Sequence, residues 1–171
     1  MIQDSAAFPI RRLTGADAEA FRTVRLEGLE RHPSAFGASF REESGRPLSF
    51  FVDRLEANHV LGAENQGRLV GVAGFQFHDS EKVRHRGTLW GMYVRTEARG
   101  TGVARRLVDS VLAHARERVE EIALRVWAEN AAAIALYKSA GFSVTAQDAR
   151  SLKIDGVYYD ELVMQMRLDA S

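Results

Sequence analysis

Hydrophobic residues recur along this chain at two spacings, every second position and every third or fourth, and the switches between them mark out its elements. Phe8 to Leu13 reads as a first strand. From Thr14, with Asp17 and Glu19 placed as in a helix start, Ala18, Phe21, Val24 and Gly28 share one face, predicting a helix to about Arg31 that Pro33 stops. His32 to Pro47 has no period, and Pro47 then opens a short helix carrying Phe50, Phe51 and Leu55. His59 to Glu64 and Arg68 to His78 alternate as two strands joined tightly at Gln66-Gly67. Thr88 to Val94 is apolar on both alternating faces, Leu89 and Tyr93 on one and Trp90, Met92 and Val94 on the other, as in a central strand covered on both sides. Gly91 inside it marks a bulge. Helical spacing returns from about Thr101 with Ala104, Leu107, Val108, Val111 and Ala115. Glu121 to Ala128 follows as a strand, and Asn130 to Ala140 as a helix capped by Asn130 and left through Gly141. Phe142 to Arg150 and Val157 to Leu168 close the chain as strands around Asp155-Gly156. Thr88 to Ala128 is therefore a strand, helix, strand unit, whose two strands should run parallel with a right-handed crossover.

Composition narrows the class. At 171 residues and 46% hydrophobic, residues 1–171 are expected to form a single domain with a full core. Lys plus Arg equals Asp plus Glu at 23 each, so no global field recruits nucleic acid or an anionic membrane. The absence of cysteine excludes disulfides, thiolate metal sites and a cysteine acyl-enzyme, and no histidine pair has metal spacing. No apolar stretch approaches a membrane span and the amino terminus carries no targeting pattern, so a cytoplasmic location is expected.

The chemistry gathers at Arg99-Gly100-Thr101-Gly102-Val103-Ala104, a glycine loop between the central strand and the following helix. Free amides at that helix start, with the positive end of its dipole and Arg99 and Arg105 on either side, make an anion site. It is not a P-loop, since no Gly-Lys-Ser/Thr follows. A dinucleotide fingerprint would want glycine or alanine at Arg105, but Glu120 and Glu121 lie where a ribose-binding acid would, so a Rossmann-type nucleotide enzyme stays open.

A second motif begins at Asn130 and continues through Ala133, Tyr137, Gly141 and Phe142. Together, the loop and this motif resemble the GNAT superfamily of N-acetyltransferases. Arg99, Gly102 and Ala104 stand at the places of its acyl-CoA loop, and the Asn130 segment matches its Asn-x-x-Ala-x-x-x-Tyr-x-x-x-Gly-Phe pattern over about Leu89 to Phe142. The resemblance implies a mixed α/β fold with about seven strands in a mostly antiparallel sheet, a splayed parallel pair formed by the fourth and fifth, and about four flanking helices. It implies that acetyl-CoA is the cosubstrate, that Met92 and Val94 beside the Gly91 bulge meet its pantetheine, and that Arg99 to Arg105 with Asn130 and Ala133 complete its seat. It gives Tyr137 the role of acid to the departing thiolate, places acceptor specificity between Arg31 and Leu55, and makes a homodimer frequent. The words Pro33-Ser34-Ala35-Phe36-Gly37 look like those of a bacterial subset of the superfamily. A member that binds acyl-CoA as a sensor without turnover is the remaining alternative.

Acetyl transfer to a primary amine needs the neutral amine, which at a pKa of ~10.4 is about one molecule in a few thousand at pH 7. A coenzyme thiol near ~8.5 and a phenol near ~10 differ by only about 1.5 units, so proton return from Tyr137 is reasonable. The fourth strand of many relatives carries a glutamate, but Thr88 to Val94 contains no acid. Glu43, Asp160, Glu129 and His78 are the possible bases through a water, although Glu42 and Glu43 read first as a solvated helix face. No metal enters the scheme.

Overall fold

The computed structural model describes residues 8–168. The ends of the expected 1–171 domain, among them the amino-terminal residues expected to carry no targeting pattern, lie outside them. One seven-stranded sheet runs β1-β2-β3-β4-β5-β7-β6, with β1 Ile10–Arg12, β2 His59–Asn65, β3 Arg68–Phe77, β4 Arg86–Val94, β5 Glu121–Trp127, β6 Ser143–Ile154 and β7 Val157–Arg167. Every pairing is antiparallel except β4 with β5. That order overturns the Rossmann alternative, which needs a parallel sheet, and Glu121 instead lies 3.5 Å from Arg86 at a strand end.

The helices are α1 Ala18–Arg31, α2 Phe40–Ser44, α3 Leu48–Ala57, α4 Val103–Arg116 and α5 Ala131–Ser139. They form two layers around the sheet. Leu107, Val108, Val111 and Leu112 of α4 are fully buried against Phe75, Leu89 and Ile122, and each such side chain contributes about 1.5–3 kcal/mol. On the other face Phe21, Val24 and Leu29 of α1 and Phe51 and Leu55 of α3 pack on Val60, Val72 and Tyr93. The extra helix is α2, which the aperiodic stretch hid because five residues cannot display a helical period. It is started by Ser39, whose hydroxyl accepts from the Glu42 amide while Glu42 returns to the Ser39 amide.

Two hairpins close with left-handed backbone at Gln66-Gly67 and Asp155-Gly156, as their residues predict. The bulge also falls where Gly91 places it. Gly91 adopts φ +64°, and the β3–β4 register passes from Val72–Tyr93 to Gly74–Trp90, so Gly91 and Met92 together oppose Ala73. The extra residue reverses the phase of the strand and corrects the expected faces. Leu89, Met92 and Val94 look toward α4 and α5, whereas Trp90 and Tyr93 look toward α1.

Candidate active site

The parallel ladder between β4 and β5 holds only at Arg86–Glu121, Gly87–Ile122 and Thr88–Ala123. Beyond Thr88 the strands part, leaving the β5-facing edge of β4 from Leu89 to Val94 without a strand partner. A cavity of about 560 Å³ fills the gap and passes through the sheet. Leu89, Met92, Val94, Leu124, Val126, Ala133 and Tyr137 line it on the α5 side; Phe36, Trp90, Tyr93, Arg125 and Trp127 line it on the α1 side.

The sequence-derived residues divide at this point. Met92, Val94, Arg99, Ala104, Asn130, Ala133 and Tyr137 all border the cavity. Gly100, Thr101, Gly102, Val103 and Arg105 sit just outside, around the start of α4. Gly100 and Gly102 have φ of +76° and +81°, and a Cβ on either would meet nothing within 4 Å. The first helical bond there runs from the Arg106 amide to the Gly102 carbonyl, and among the described residues the amides of 100–105 find no protein acceptor. Those open amides, beside an unpaired strand edge and a through-going cavity, fit a phosphate joined to a narrow chain.

Several side chains have other duties. Thr101 Oγ1 donates to the Ala98 carbonyl, closing the turn. Arg105 donates to Asp109 and to the Ser139 carbonyl, tying α4 to α5 instead of flanking an anion. Arg99 donates through Nε to the Val94 carbonyl at 3.0 Å and lies 3.1 Å from His32 Nε2, so it braces the loop against both walls. Asn130 accepts from the Ala133 amide and caps α5, as its place predicts.

Tyr137 is 5% exposed, with its ring against Phe142. Burial pushes its phenol well above the ordinary value, so its mismatch with a thiol is wider than free side chains suggest, and its proton is held firmly. Tyr93 is likewise raised by burial and by donation to Glu27 Oε1 at 2.9 Å.

The expected bases are placed elsewhere. Glu43 is not on a solvated face; it is 3% exposed and receives Arg25 through two bonds of 3.0 and 2.9 Å, with Arg54 at 2.9 Å. Burial would raise its carboxyl, but the two guanidinium groups outweigh burial and hold it below the usual range. Asp160 accepts from the Arg150 amide and Gln147, which hold it low, while the neighbouring Glu161 is the buried one, bonded to Ser151 and 3.5 Å from Arg125. Glu129 is exposed, and His78 lies 3.0 Å from Oγ1 of Thr88, the last rung of the ladder before the strands part, without lining the cavity. None of the four borders the cavity, and no Asp or Glu does among the described residues.

Sequence reasoning missed His32, Arg125 and Trp127. His32 packs on Tyr93 with ring centres 5.9 Å apart and planes tilted by 46°, and burial, then Arg99 and Arg31, keep it below the ordinary imidazole value. Arg125 and Trp127 are the outward positions of a strand whose Leu124 and Val126 are buried; in sequence that alternation looks like any half-exposed strand.

A seven-stranded mixed sheet with one parallel pair, β4 and β5, and helices on both faces defines the α/β class, and solved structures share this fold. A ribosomal-protein-alanine N-acetyltransferase from Brucella melitensis is 30% identical with a TM-score of 0.79, covering 93% of this chain and 99% of that one. A Salmonella typhimurium protein, yncA, solved with its cofactor acetyl-CoA, is 25% identical with a TM-score of 0.82, covering 97% and 96%. The profile of the Acetyltransferase (GNAT) family matches residues 23–142, and the chain belongs to that family. A mycothiol acetyltransferase of Saccharomonospora viridis is 31% identical over 143 residues, 80% of this chain but 45% of that protein. The chain thus spans less than half the length of that relative. No described helix is long and apolar enough to cross a membrane, and no described group of His, Cys, Asp or Glu could hold a metal.

Proposed function

We propose that this chain is an N-acetyltransferase that passes the acetyl group of acetyl-CoA to the amine of a small molecule in a ternary complex. The observation that carries the reading is the convergence, on one cavity and its rim, of the unpaired β4 edge, the open amides of 100–105 just outside it and the Tyr137 ring. Bound acetyl-CoA supplies an activated acyl thioester. The amides of 100–105 hold its diphosphate, and the exposed main chain from Leu89 to Val94 pairs with its pantetheine arm as an added strand would. A main-chain N–H beside the Gly91 bulge meets the charge that develops on the acyl oxygen. Tyr137, kept protonated by burial, donates to the departing sulfur. With no carboxylate on the cavity wall, the acceptor amine gives up its proton to solvent, so kcat/KM should rise with pH until the acceptor's own pKa is passed.

Titration calorimetry with acetyl-CoA tests the coenzyme seat. Gly102→Val, which puts a branched side chain at φ +81° in the approach to the amides, should weaken binding about ten-fold or more in a folded protein. Unchanged affinity would contradict the cradle. Release of free thiol on adding amines separates an enzyme from a sensor.

A further inference from the structure

We infer that the acceptor carries a carboxylate close to its amine, as an α-amino acid does, and that Arg125 is the residue that receives it. The inference rests on the acetyltransferase reading and names the acceptor class for the same cavity. The α1 side of the cavity, opposite Tyr137, is walled by Phe36, Trp90 and Trp127 and carries Arg125 at its edge. No Asp or Glu borders the cavity among the described residues, and the nearest to this edge, Asp148 and Glu161, are engaged by Arg125, so a second ammonium group on the acceptor has no carboxylate lining the wall to meet it.

Arg125 is set up differently. Its Nη1 donates to Asp148 Oδ2 at 2.6 Å and lies 3.5 Å from Glu161, while its Nε and Nη2 make no hydrogen bond to the described residues. One nitrogen is anchored from behind, and the other edge of the fork remains for a planar two-oxygen anion. The anchor is itself built, since Glu161 is 7% exposed and receives Ser151 from β6. A second cation lies under the bulge. Arg25, 6% exposed, spends Nε and Nη2 on Glu43, and its Nη1 would stand 3.5 Å from a Cβ on Gly91. Arg25 and Arg54 share the single carboxylate of Glu43, so surplus positive charge lies behind Trp90. The Arg125 charge is already balanced by Asp148 and Glu161, so what it offers an anionic acceptor is the open edge of its fork, while the surplus charge of Arg25 and Arg54 favours an anion over a second ammonium group. The aromatic walls then suit an apolar side chain beside the carboxylate.

The test is steady-state kinetics on the common L-amino acids, each beside its amide and its decarboxylated amine. The amide has the less basic amine and hence the larger neutral fraction, so intrinsic reactivity favours it. Wild-type protein should nevertheless use the preferred amino acid with kcat/KM about ten-fold or more above its amide. Arg125→Gln should raise KM for the acid about ten-fold more than for the amide or the amine, abolishing the preference. Arg125→Lys, which keeps the charge but not the fork, should fall between, and it guards against a Gln variant that fails to fold. Equal or better use of amides or decarboxylated amines by wild type overturns the inference, as does an equal loss on all three substrates in Arg125→Gln. If acetyl-CoA binds by calorimetry yet none of these acceptors is acetylated, the acceptor class is wrong and the coenzyme seat stands. If acetyl-CoA does not bind, the acetyltransferase reading itself fails.

Discussion

Among the described residues no charged group shifts the Tyr137 phenol, and the rise in its pKa comes from burial. A group held so firmly protonated does not titrate in the working range, so activity should show no alkaline fall attributable to it below the ordinary phenol value of ~10. Tyr137→Phe keeps the ring against Phe142 and removes only the hydroxyl. Turnover should drop roughly 10²-fold with acetyl-CoA affinity nearly unchanged, measured by steady-state kinetics beside calorimetry. Equal turnover, with the chemical step shown to be rate-limiting, would remove the phenol from the donor role. At this scale Tyr137, Asn130 and the glycines were legible because each is tied to its own backbone: a cap, a left-handed turn, a motif spacing. Glu43 was not, because its partners Arg25 and Arg54 lie 18 and 11 positions away in other helices.

That triad is a property of elements. It fastens α2 to α1 and α3 beneath Trp90, with the Arg25 guanidinium 5.3 Å from the Phe36 ring centre and 5.8 Å from that of Trp90. Removing the carboxylate strands two cations at once, one of them buried. Glu43→Ala should therefore cost about 3–5 kcal/mol in urea unfolding, whereas Arg25→Met combined with Glu43→Leu should recover most of that loss. A single substitution costing under about 1 kcal/mol would show the helices to be held by their apolar faces alone. The Gly91 bulge belongs here too. Glycine announced its place, but its effect, moving Met92 and Val94 onto the face of Leu89 and Tyr93 onto that of Trp90, appears only once β3 supplies a register.

Across the whole molecule, β2 and α4 meet at a second ionisable pair far from the cavity. His59 and His114 stack at 3.4 Å with planes 7° apart, and Phe75 and Phe77 pack edgewise on His114. Burial, then the partner imidazole, then Arg12 and Arg118 lower His59 to about 4. Burial and Arg118 lower His114, which Glu117 opposes only in part. The unfolded chain takes up these protons near ~6.5 and the folded chain refuses them until lower pH, so this stabilisation is complete above ~6.5 and lost as pH falls toward about 4. Melting temperature should decline through that window, and His59→Phe with His114→Phe should flatten the decline. An unchanged pH profile in the double variant would place the acid sensitivity elsewhere.

Local pattern by itself determined the succession of strands and helices apart from α2, the hairpin turns, the place of the bulge and the left-handed glycine loop with its open amides, because each depends on residues within a few positions of one another. Tertiary structure alone decided where β4 and β5 part, that Glu43 is locked away while Arg125 keeps a free edge, and which side chains wall the cavity. Those outcomes are set by charges and rings brought together from distant parts of the chain, and spacing along a sequence carries no record of such encounters.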